Sequence, residues 1–266
     1  MLKSPFLIFL YSGDEAMRWK IFCKFVGKKK QISLTTKHNK VIMKRYAIIV
    51  AGGSGSRFGS NMPKQFLPLS GKPVLMHTID KFAALGGVEI IVVLPAAFEG
   101  WWCELCAEHG FATEHRVVAG GANRFCSVKN AIITIDVQPG DAIAVHDGVR
   151  PLASTSLIAA AFDCAEAKGS AIPVVAVTDS IRRVVDSEGA SEPLSRDMLR
   201  AVQTPQVFDA IALRSAYDAE YSPFYTDDAS VFEHNGGVIH MIDGEVTNIK
   251  ITHPNDLTIA EMLMNR

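Results

Sequence analysis

Short apolar runs alternate with longer amphipathic segments through most of the chain. Five of these runs predict strands buried within a sheet: residues 47–50, 88–94, 113–118, 142–145 and 171–177. The segments between them predict helices over residues 73–85, 98–109, 123–135 and 155–168. Strands that alternate with helices in this way predict a Rossmann-like α/β fold, in which a mostly parallel, twisted sheet carries helices on both faces.

The alternation stops between residues 178 and 202. This stretch is too polar for a core element, and its pattern predicts a protruding β-hairpin, here called the arm, with Glu188-Gly189 near its tip. Such arms often pair with a second subunit, so we expect a homodimer formed through the arm. The alternative is a surface hairpin without a partner.

Beyond the arm, the pattern becomes regular again. It predicts helices over residues 209–220, 226–235 and 253–264 and strands over residues 238–242 and 248–252. The last helix begins with His253-Pro254, because proline is favoured in the first turn of a helix.

Charge divides the chain into two unequal parts. The 266 residues carry a net charge of −1, which gives no overall basic field of the kind that attracts nucleic acid. Residues 1–42, however, hold nine basic and two acidic side chains, whereas the remainder is acidic. We therefore expect a basic N-terminal extension over residues 1–42, disordered or an over-called start, and a single domain over residues 43–266 that begins near Met43.

The extension does not predict a membrane anchor. Its apolar run over residues 6–11 is too short to span a bilayer, and it lacks the small-residue cleavage site of a signal peptide. The five cysteines are odd in number and irregularly spaced, which is typical of a reducing cytoplasm rather than of a disulfide framework. Cys103 and Cys106 lack the further ligands that a structural zinc requires nearby.

The candidate chemistry begins directly after the first predicted strand. Four glycines follow it within eight residues, Gly52, Gly53, Gly55 and Gly59, and two cations, Arg57 and Lys64, lie in or just beyond the loop. Such a loop lets backbone N–H groups close on an anion, so it predicts a phosphate cradle. The third glycine is misplaced for a dinucleotide fingerprint, which disfavours a nicotinamide oxidoreductase, and the Gly-Lys-Ser/Thr end of a Walker loop is missing.

Two further polar stretches follow predicted strands. They are Gly120-Gly121, with Arg124 and Ser127 close behind, and His146-Asp147-Gly148. Because ligands bind at the carboxyl ends of parallel strands, we expect these stretches and the glycine loop to meet in one cleft. An aspartate in that position is also where Mg²⁺ would be held, directly or through water, and other divalent cations are alternatives.

Six runs in the right order resemble one family. These runs are similar to runs of the 2-C-methyl-D-erythritol 4-phosphate cytidylyltransferases, which act in the non-mevalonate isoprenoid pathway and belong to the nucleotidyltransferase superfamily. The runs are AGGSGSRFGSNMPKQ, GGANR, HDGVRP, TPQ, TDDAS and NIKIT. The resemblance covers about residues 45–264. It implies an enzyme that uses CTP and a polyol phosphate, with Mg²⁺ and without nucleic acid or membrane partners.

The resemblance also implies roles for individual residues. Arg57 and Lys64 would stabilise the transition state and the leaving pyrophosphate, and Arg196 and Lys250 would hold the acceptor phosphate. The expected substrate-binding residues are Gly52, Gly53, Ser54, Gly55, Gly120, Gly121, Ser127, Asp147, Gly148, Arg150, Ser180, Thr204 and Thr226. Ser180 and Arg196 belong to the arm and would reach the partner's cleft; Ser180 stands where the family commonly has threonine. His146 is expected to be structural.

Two other functions remain open at this point. One is a cytidylyltransferase for another polyol phosphate, such as ribitol 5-phosphate, which the same cations would serve. The other is a non-catalytic nucleotide-binding module on the same fold. The presence of both loop cations and of Asp147 argues against the second alternative.

Overall fold

The computed structural model describes residues 20–21, 32–33, 43–53 and 62–265. Contacts divide the chain into two units, residues 1–42 and 43–266. In the first unit, strand β1 (Lys20–Ile21) pairs antiparallel with β2 (Ile32–Ser33). The apolar run over residues 6–11 lies outside the described residues, as do residues 54–61 of the glycine loop.

The second unit contains the remaining elements. Its strands are β3 (Arg45–Val50), β4 (Pro68–Leu69), β5 (Lys72–Pro73), β6 (Val88–Leu94), β7 (Arg116–Ala119), β8 (Ala142–Asp147), β9 (Ser170–Ala176), β10 (Ile181–Val184), β11 (Ser191–Leu194), β12 (Arg200–Val202), β13 (Gln206–Asp209) and β14 (Met241–Asp243). Its helices are α1 (Val74–Ala83), α2 (Glu99–Glu108), α3 (Arg124–Ile132), α4 (Thr155–Lys168), α5 (Ala210–Ala216), α6 (Asp228–His234) and α7 (Pro254–Met264).

Eight strands form the central sheet in the order β12-β9-β13-β8-β3-β6-β7, with β14 parallel to β9 at one side. Strands β8, β3, β6 and β7 are parallel neighbours. The sheet is therefore mixed and mostly parallel, which confirms the predicted α/β class. Parallel neighbours bring the carboxyl ends of β3 and β8 to the same edge, where Val50 pairs with Asp147.

Both faces of the sheet are buried, and the alternation of side chains along β3 explains how. Ala47 and Ile49 pack with helices α1, α2 and α4 in one apolar cluster. Tyr46 and Ile48 point to the opposite face and pack with α3, α5 and α6. A strand covered on both sides needs an unbroken apolar run, which is why the sequence pattern located it.

One strand of the sheet was not predicted. Strand β13 lies antiparallel between β8 and β9, with Val207 and Phe208 fully buried. Its four residues give too short a pattern to separate a strand from the start of the following helix. Strand β12, which the prediction assigned to the arm, also belongs to the central sheet, where it pairs antiparallel with β9.

The strand predicted over residues 248–252 is wrong. These residues form no strand in the structure. The strand predicted over 238–242 begins later and ends one residue further on, as β14 (Met241–Asp243). Ile251 is nevertheless fully buried, in a third apolar cluster that includes Val149 and Ala260. Its N–H donates to the carbonyl oxygen of Val149 at 2.9 Å. Tertiary contacts, rather than a sheet ladder, therefore hold this segment.

The predicted arm is confirmed as a hairpin. Strands β10 and β11 pair antiparallel, with Ile181 opposite Leu194 and Val184 opposite Ser191. At its tip, Oδ1 of Asp186 accepts hydrogen bonds from the N–H groups of Glu188 and Ala190, and Gly189 has a φ of +92° that favours glycine. Among the described helices, none has the length and apolar character needed to cross a membrane.

Candidate functional site

A cavity of about 250 Å³ opens where the carboxyl ends of β3 and β8 meet. It is lined by backbone from three loops and by several charged side chains. The lining residues among those described are Val50, Ala51, Gly52, Gly53, Lys64, Gln65, Gly121, Ala122, Asn123, Arg124, Ser127, Asp147, Val149 and Lys250. The three polar stretches that follow strands therefore converge, as the parallel sheet predicts.

The first loop contributes Gly52, Gly53 and Lys64 to the cavity. Lys64 begins a short 3-10 turn, Lys64–Phe66, and the buried ring of Phe66 packs edge-to-face on Trp101 at 4.9 Å between centroids. The predicted residues Ser54, Gly55 and Arg57 lie outside the described residues.

Gln65 connects the lysine to the glycine loop, and the sequence prediction missed it. Its side chain is buried, and Nε2 donates to the carbonyl oxygen of Ala51 at 2.7 Å and to that of Gly53 at 3.4 Å. The sequence signal is the position of this polar residue between Lys64 and Phe66. A turn that brings Lys64 to the cavity buries the neighbouring residues, and a buried polar side chain requires hydrogen-bond partners.

The second loop leads into α3. Asn123 caps this helix, because its Oδ1 accepts from the N–H of Cys126 at 2.8 Å. The Oγ of Ser127 accepts from the N–H of Gly121 at 3.1 Å and donates to the carbonyl oxygen of Asn123 at 2.8 Å. A Cβ on Gly121 would lie 2.4 Å from Cβ of Cys126, so only glycine fits this close approach. Gly120, directly before it, donates to the carbonyl oxygen of Leu94.

The carboxyl end of β8 places the carboxylate of Asp147 among three cations. Its Oδ2 lies 2.9 Å from Nζ of Lys250 and 3.3 Å from Nε of Arg150, and its Oδ1 lies 4.0 Å from Nε of Arg124. Gly148 follows at a tight approach, where a Cβ would lie 2.9 Å from Cβ of Ala51. The structure thus brings together Asp147, Arg150 and Lys250, which the sequence had placed in two separate motifs.

Electrostatics keeps Asp147 ionised. Burial by itself would raise the pKa of this carboxyl, but the charges of Lys250, Arg124 and Arg150 outweigh burial and hold the pKa well below its usual range. A carboxylate with so low a pKa is a poor proton acceptor. The negative charge of Asp147 instead orients the neighbouring cations.

Arg124 is held by a second, fully buried carboxylate that the sequence prediction missed. Nη1 and Nη2 of Arg124 donate to Oδ1 and Oδ2 of Asp228 at 2.9 and 2.5 Å. The hydroxyl of Tyr217 also donates to Oδ1 of Asp228, at 2.6 Å. Burial opposes the charge of Arg124, but Asp228 more than compensates and raises the pKa of Arg124. The sequence signal for this buried carboxylate is the pair of acidic residues 227–228. Asp227 caps α6, whereas Asp228 lies in the first turn of the helix and is buried.

His146 is structural, as expected. It is fully buried, its Nε2 lies 3.1 Å from the carbonyl oxygen of Arg150, and its Nδ1 lies 3.0 Å from Oγ1 of Thr204. The first contact requires a proton on Nε2, so Nδ1 accepts from the Thr204 hydroxyl. That hydroxyl in turn accepts from the N–H of Asp147 at 3.1 Å, which fixes the end of β8.

Seven predicted site residues among those described do not line this cavity. Gly120, Gly148 and Arg150 lie directly beside lining residues, in the contacts given above. Thr204 is buried beside the cavity and is engaged with His146. Thr226 is exposed before α6. Ser180 and Arg196 are exposed at the base of the arm, where Nη1 of Arg196 donates to the carbonyl oxygen of Thr178 at 2.5 Å.

The described side chains offer few ligands for a resident metal. No group of three or more His, Cys, Asp or Glu side chains that could hold an ion occurs among the described residues. Asp147 is the only acidic side chain among the described lining residues. The protein groups therefore suit an ion that arrives with phosphate oxygens as its other ligands.

Comparisons with known proteins agree with this geometry. The family model described as 2-C-methyl-D-erythritol 4-phosphate cytidylyltransferase matches residues 45–266. A protein of that name from Bacteroides thetaiotaomicron is 47% identical over 223 residues, which cover 84% of this chain and 100% of the relative. A protein of the same name from Porphyromonas gingivalis is 47% identical over 83% of this chain and 98% of its own.

Crystal structures give the same result. The 4-diphosphocytidyl-2C-methyl-D-erythritol synthase of Anaerococcus prevotii matches with a TM-score of 0.71 and 26% identity, over 84% of this chain and 97% of its own. The 2-C-methyl-D-erythritol 4-phosphate cytidylyltransferase of Thermus thermophilus matches with a TM-score of 0.68 and 30% identity, over 84% of this chain and 100% of its own.

The burial of His146 predicts a pH-dependent stability. Burial lowers its pKa to about 4 from 6.5, so between these values the unfolded state binds a proton that the folded state does not. Stability therefore falls as the pH falls through this window. From about pH 7.5 to about pH 5.5 the loss is about 1.4 kcal/mol from this residue.

Denaturant unfolding at both pH values, for the wild type and for His146→Gln, measures this contribution. Glutamine does not titrate, so the difference in stability between the two proteins should shrink by that amount at the lower pH, while the shared carboxylates cancel. A difference that stays constant between the two pH values would contradict the assignment.

Proposed function

The chain belongs to the 2-C-methyl-D-erythritol 4-phosphate cytidylyltransferase family, and from that premise we propose how its cavity performs the reaction. The enzyme transfers a cytidylyl group from CTP to 2-C-methyl-D-erythritol 4-phosphate, which yields 4-diphosphocytidyl-2-C-methyl-D-erythritol and pyrophosphate. The observation that best supports the proposed mechanism is the placement of Lys64, Arg124 and Lys250 around one cavity floored by glycine backbone.

The nucleotide binds to the glycine loop. Backbone N–H groups of Gly52, Gly53 and the following Ser54 and Gly55 surround the phosphates, and Arg57 and Lys64 stabilise the charge that develops at the α-phosphorus and on pyrophosphate. Gly120, Gly121 and Ser127 bind the cytidine. The Ser127 hydroxyl donates its proton to the Asn123 carbonyl oxygen and accepts from the Gly121 N–H, so one oxygen lone pair is left to accept from the nucleotide.

The acceptor binds beside Asp147. Lys250 and Arg150 hold its phosphate, and Asp147 and Gly148 set the direction from which it approaches. The attacking atom is a phosphate oxygen that is already ionised, so the reaction needs no general base. The low pKa of Asp147 and the buried, neutral His146 are consistent with that requirement.

Mg²⁺ is the proposed cofactor. Asp147 would hold the ion, directly or through water, together with oxygens of the triphosphate, and another divalent cation could replace it. The bound ion would supply neutralisation of phosphate charge. The remaining electrostatic work falls to the lysine and arginine side chains described above.

The arm supplies the rest of the acceptor site in a homodimer. Arg196 and Ser180 lie exposed at its base, and Thr204 and Thr226 support the acceptor from the cleft's own subunit. The arm also carries exposed apolar side chains, among them Val184, Leu194 and Met198, which a second subunit would cover.

The domain boundary and location are also proposals. The cytidylyltransferase domain spans residues 43–266, and the family match that begins at residue 45 supports this boundary. A reducing cytoplasm is supported by the free thiols of Cys103, Cys106, Cys126 and Cys164.

The substrate assignment is tested by pyrophosphate release. CTP, UTP and ATP are each combined with 2-C-methyl-D-erythritol 4-phosphate and with ribitol 5-phosphate, and initial rates are compared. We expect the highest kcat/KM for CTP with the methylerythritol phosphate. Faster turnover of ribitol 5-phosphate would reassign the acceptor, and nucleotide binding without pyrophosphate release would indicate a non-catalytic module.

Lys64→Ala should lower kcat by at least about a hundredfold, because it removes a charge that acts on the transition state. Folding should be unchanged, since Lys64 is only half-buried in a short turn. The matched control is Lys168→Ala, at the exposed end of α4. Steady-state rates and circular dichroism of both variants check the prediction, and near-normal turnover of Lys64→Ala would refute the role of this lysine.

The shared active site predicts complementation between two inactive variants. Lys64→Ala damages the cleft of one subunit, and Arg196→Ala damages the arm that reaches into the other. When the two are unfolded together and refolded as a mixture, half of the dimers are mixed and each contains one intact site, so activity should recover to about one quarter of wild type. If the mixture is as inactive as its components, the arm does not complete the partner's site.

A further inference from the structure

Lys250 is carried by a segment that no sheet holds in place. Residues 248–252 form no ladder, and the side chain of Lys250 is 42% exposed. A lysine has four rotatable side-chain bonds, so its ammonium group is placed only as well as its backbone is placed. Ile251 anchors the far end of the segment through its N–H and its buried side chain. The near end must be fixed by other means.

Asn248 fixes the near end. Its side chain is fully buried, and Nδ2 donates to the carbonyl oxygen of Thr204 at 2.9 Å and to Oε1 of Gln203 at 3.3 Å. Its own carbonyl oxygen accepts from Nη1 of Arg150 at 2.7 Å. Asn248 therefore contacts both residues 203–204, which lead into β13, and Arg150, which lies against Asp147.

These contacts close a ring around the Asp147 carboxylate. Arg150 bonds to Asp147 through Nε and to Asn248 through Nη1, Asn248 bonds to Thr204, and the Thr204 hydroxyl accepts from the N–H of Asp147. Lys250, two residues after Asn248, points back to the same carboxylate. Movement of Asn248 would therefore displace Arg150 and Lys250 together.

The ring comes with an unpaired acceptor. Among the described residues, Oδ1 of Asn248 is a buried side-chain oxygen without a hydrogen-bond partner. A buried polar atom left unpaired costs stability and calls for an explanation. An apolar side chain of similar volume would avoid that cost. The amide is therefore better explained by the two hydrogen bonds that its Nδ2 donates than by a gain in the stability of the core.

We propose that Asn248 is a positioning residue for the acceptor phosphate, which acts by fixing Arg150 and Lys250 on either side of Asp147. The proposal rests on the proposed function, because it takes Lys250 and Arg150 as the groups that bind this phosphate. Asn248 itself is fully buried and does not line the cavity among the described residues, so it acts through the two cations.

The test compares kinetics and folding for Asn248→Leu and Asn248→Ala. Both remove the two Nδ2 contacts; leucine keeps the volume, and alanine avoids any clash. We expect KM for 2-C-methyl-D-erythritol 4-phosphate to rise about tenfold or more, because a displacement of about 1 Å costs binding at a charged contact. KM for CTP should change less than about twofold, and thermal unfolding should stay cooperative in at least one variant.

Two controls make the result specific. Asn235→Leu removes an exposed asparagine at the end of α6 and should leave both KM values unchanged. In a double-mutant cycle, Asn248→Leu should have a smaller effect on a Lys250→Ala background than on wild type, because one of the groups it positions is already gone.

Three outcomes would overturn the proposal. They are an unchanged KM for the acceptor in a folded variant, equal effects in both backgrounds of the cycle, and loss of cooperative unfolding in both variants, which would mark Asn248 as structural. Wild-type enzyme that turns over no acceptor at all would instead refute the proposed function, so the two failures are distinguishable.

Discussion

A buried carboxylate surrounded by cations is the constraint on which this site depends. Asp147 loses most of its hydration at the end of β8, and an ionised group in that environment must be compensated nearby. Lys250, Arg150 and Arg124 provide the compensation from three separate parts of the chain. The requirement to keep one charge compensated therefore ties the C-terminal segment and helix α3 to the central sheet.

The same arrangement prepares the cavity for anions. Three cations packed together repel one another, and Asp147 and Asp228 reduce that repulsion without cancelling the positive charge. Arg124 is held by both carboxylates, while Lys250 stays partly exposed to the cavity. Phosphate groups of the substrates can therefore supply the missing negative charge. Charges that are already in place before a reaction need little reorganisation when the transition state forms, and such preorganisation is the usual source of electrostatic catalysis.

Sequence predicted the features that repeat along the chain. Buried parallel strands such as β3 and β6 are unbroken apolar runs, and the loops after them carry Gly52, Gly121 and Asp147 to one edge by topology alone. The four residues of β13 are too few to show a period, and residues 248–252 alternate like a strand although Asn248 and Ile251 are buried by side-chain contacts instead. Gln65 and Asp228 were missed because a buried polar residue is recognisable only once its partner is known.

The position of Asp147 relative to Lys250 has a consequence for biosynthesis. About a hundred residues separate the two in the chain, so on the ribosome the carboxylate emerges roughly 5–20 seconds before its ammonium partner. Strand β13, which covers one edge of β8, also emerges late. The nascent chain thus passes through a stage in which Asp147 and Arg150 have been made and Lys250 has not. The cluster of these three side chains can form only after the central parallel strands have been synthesised.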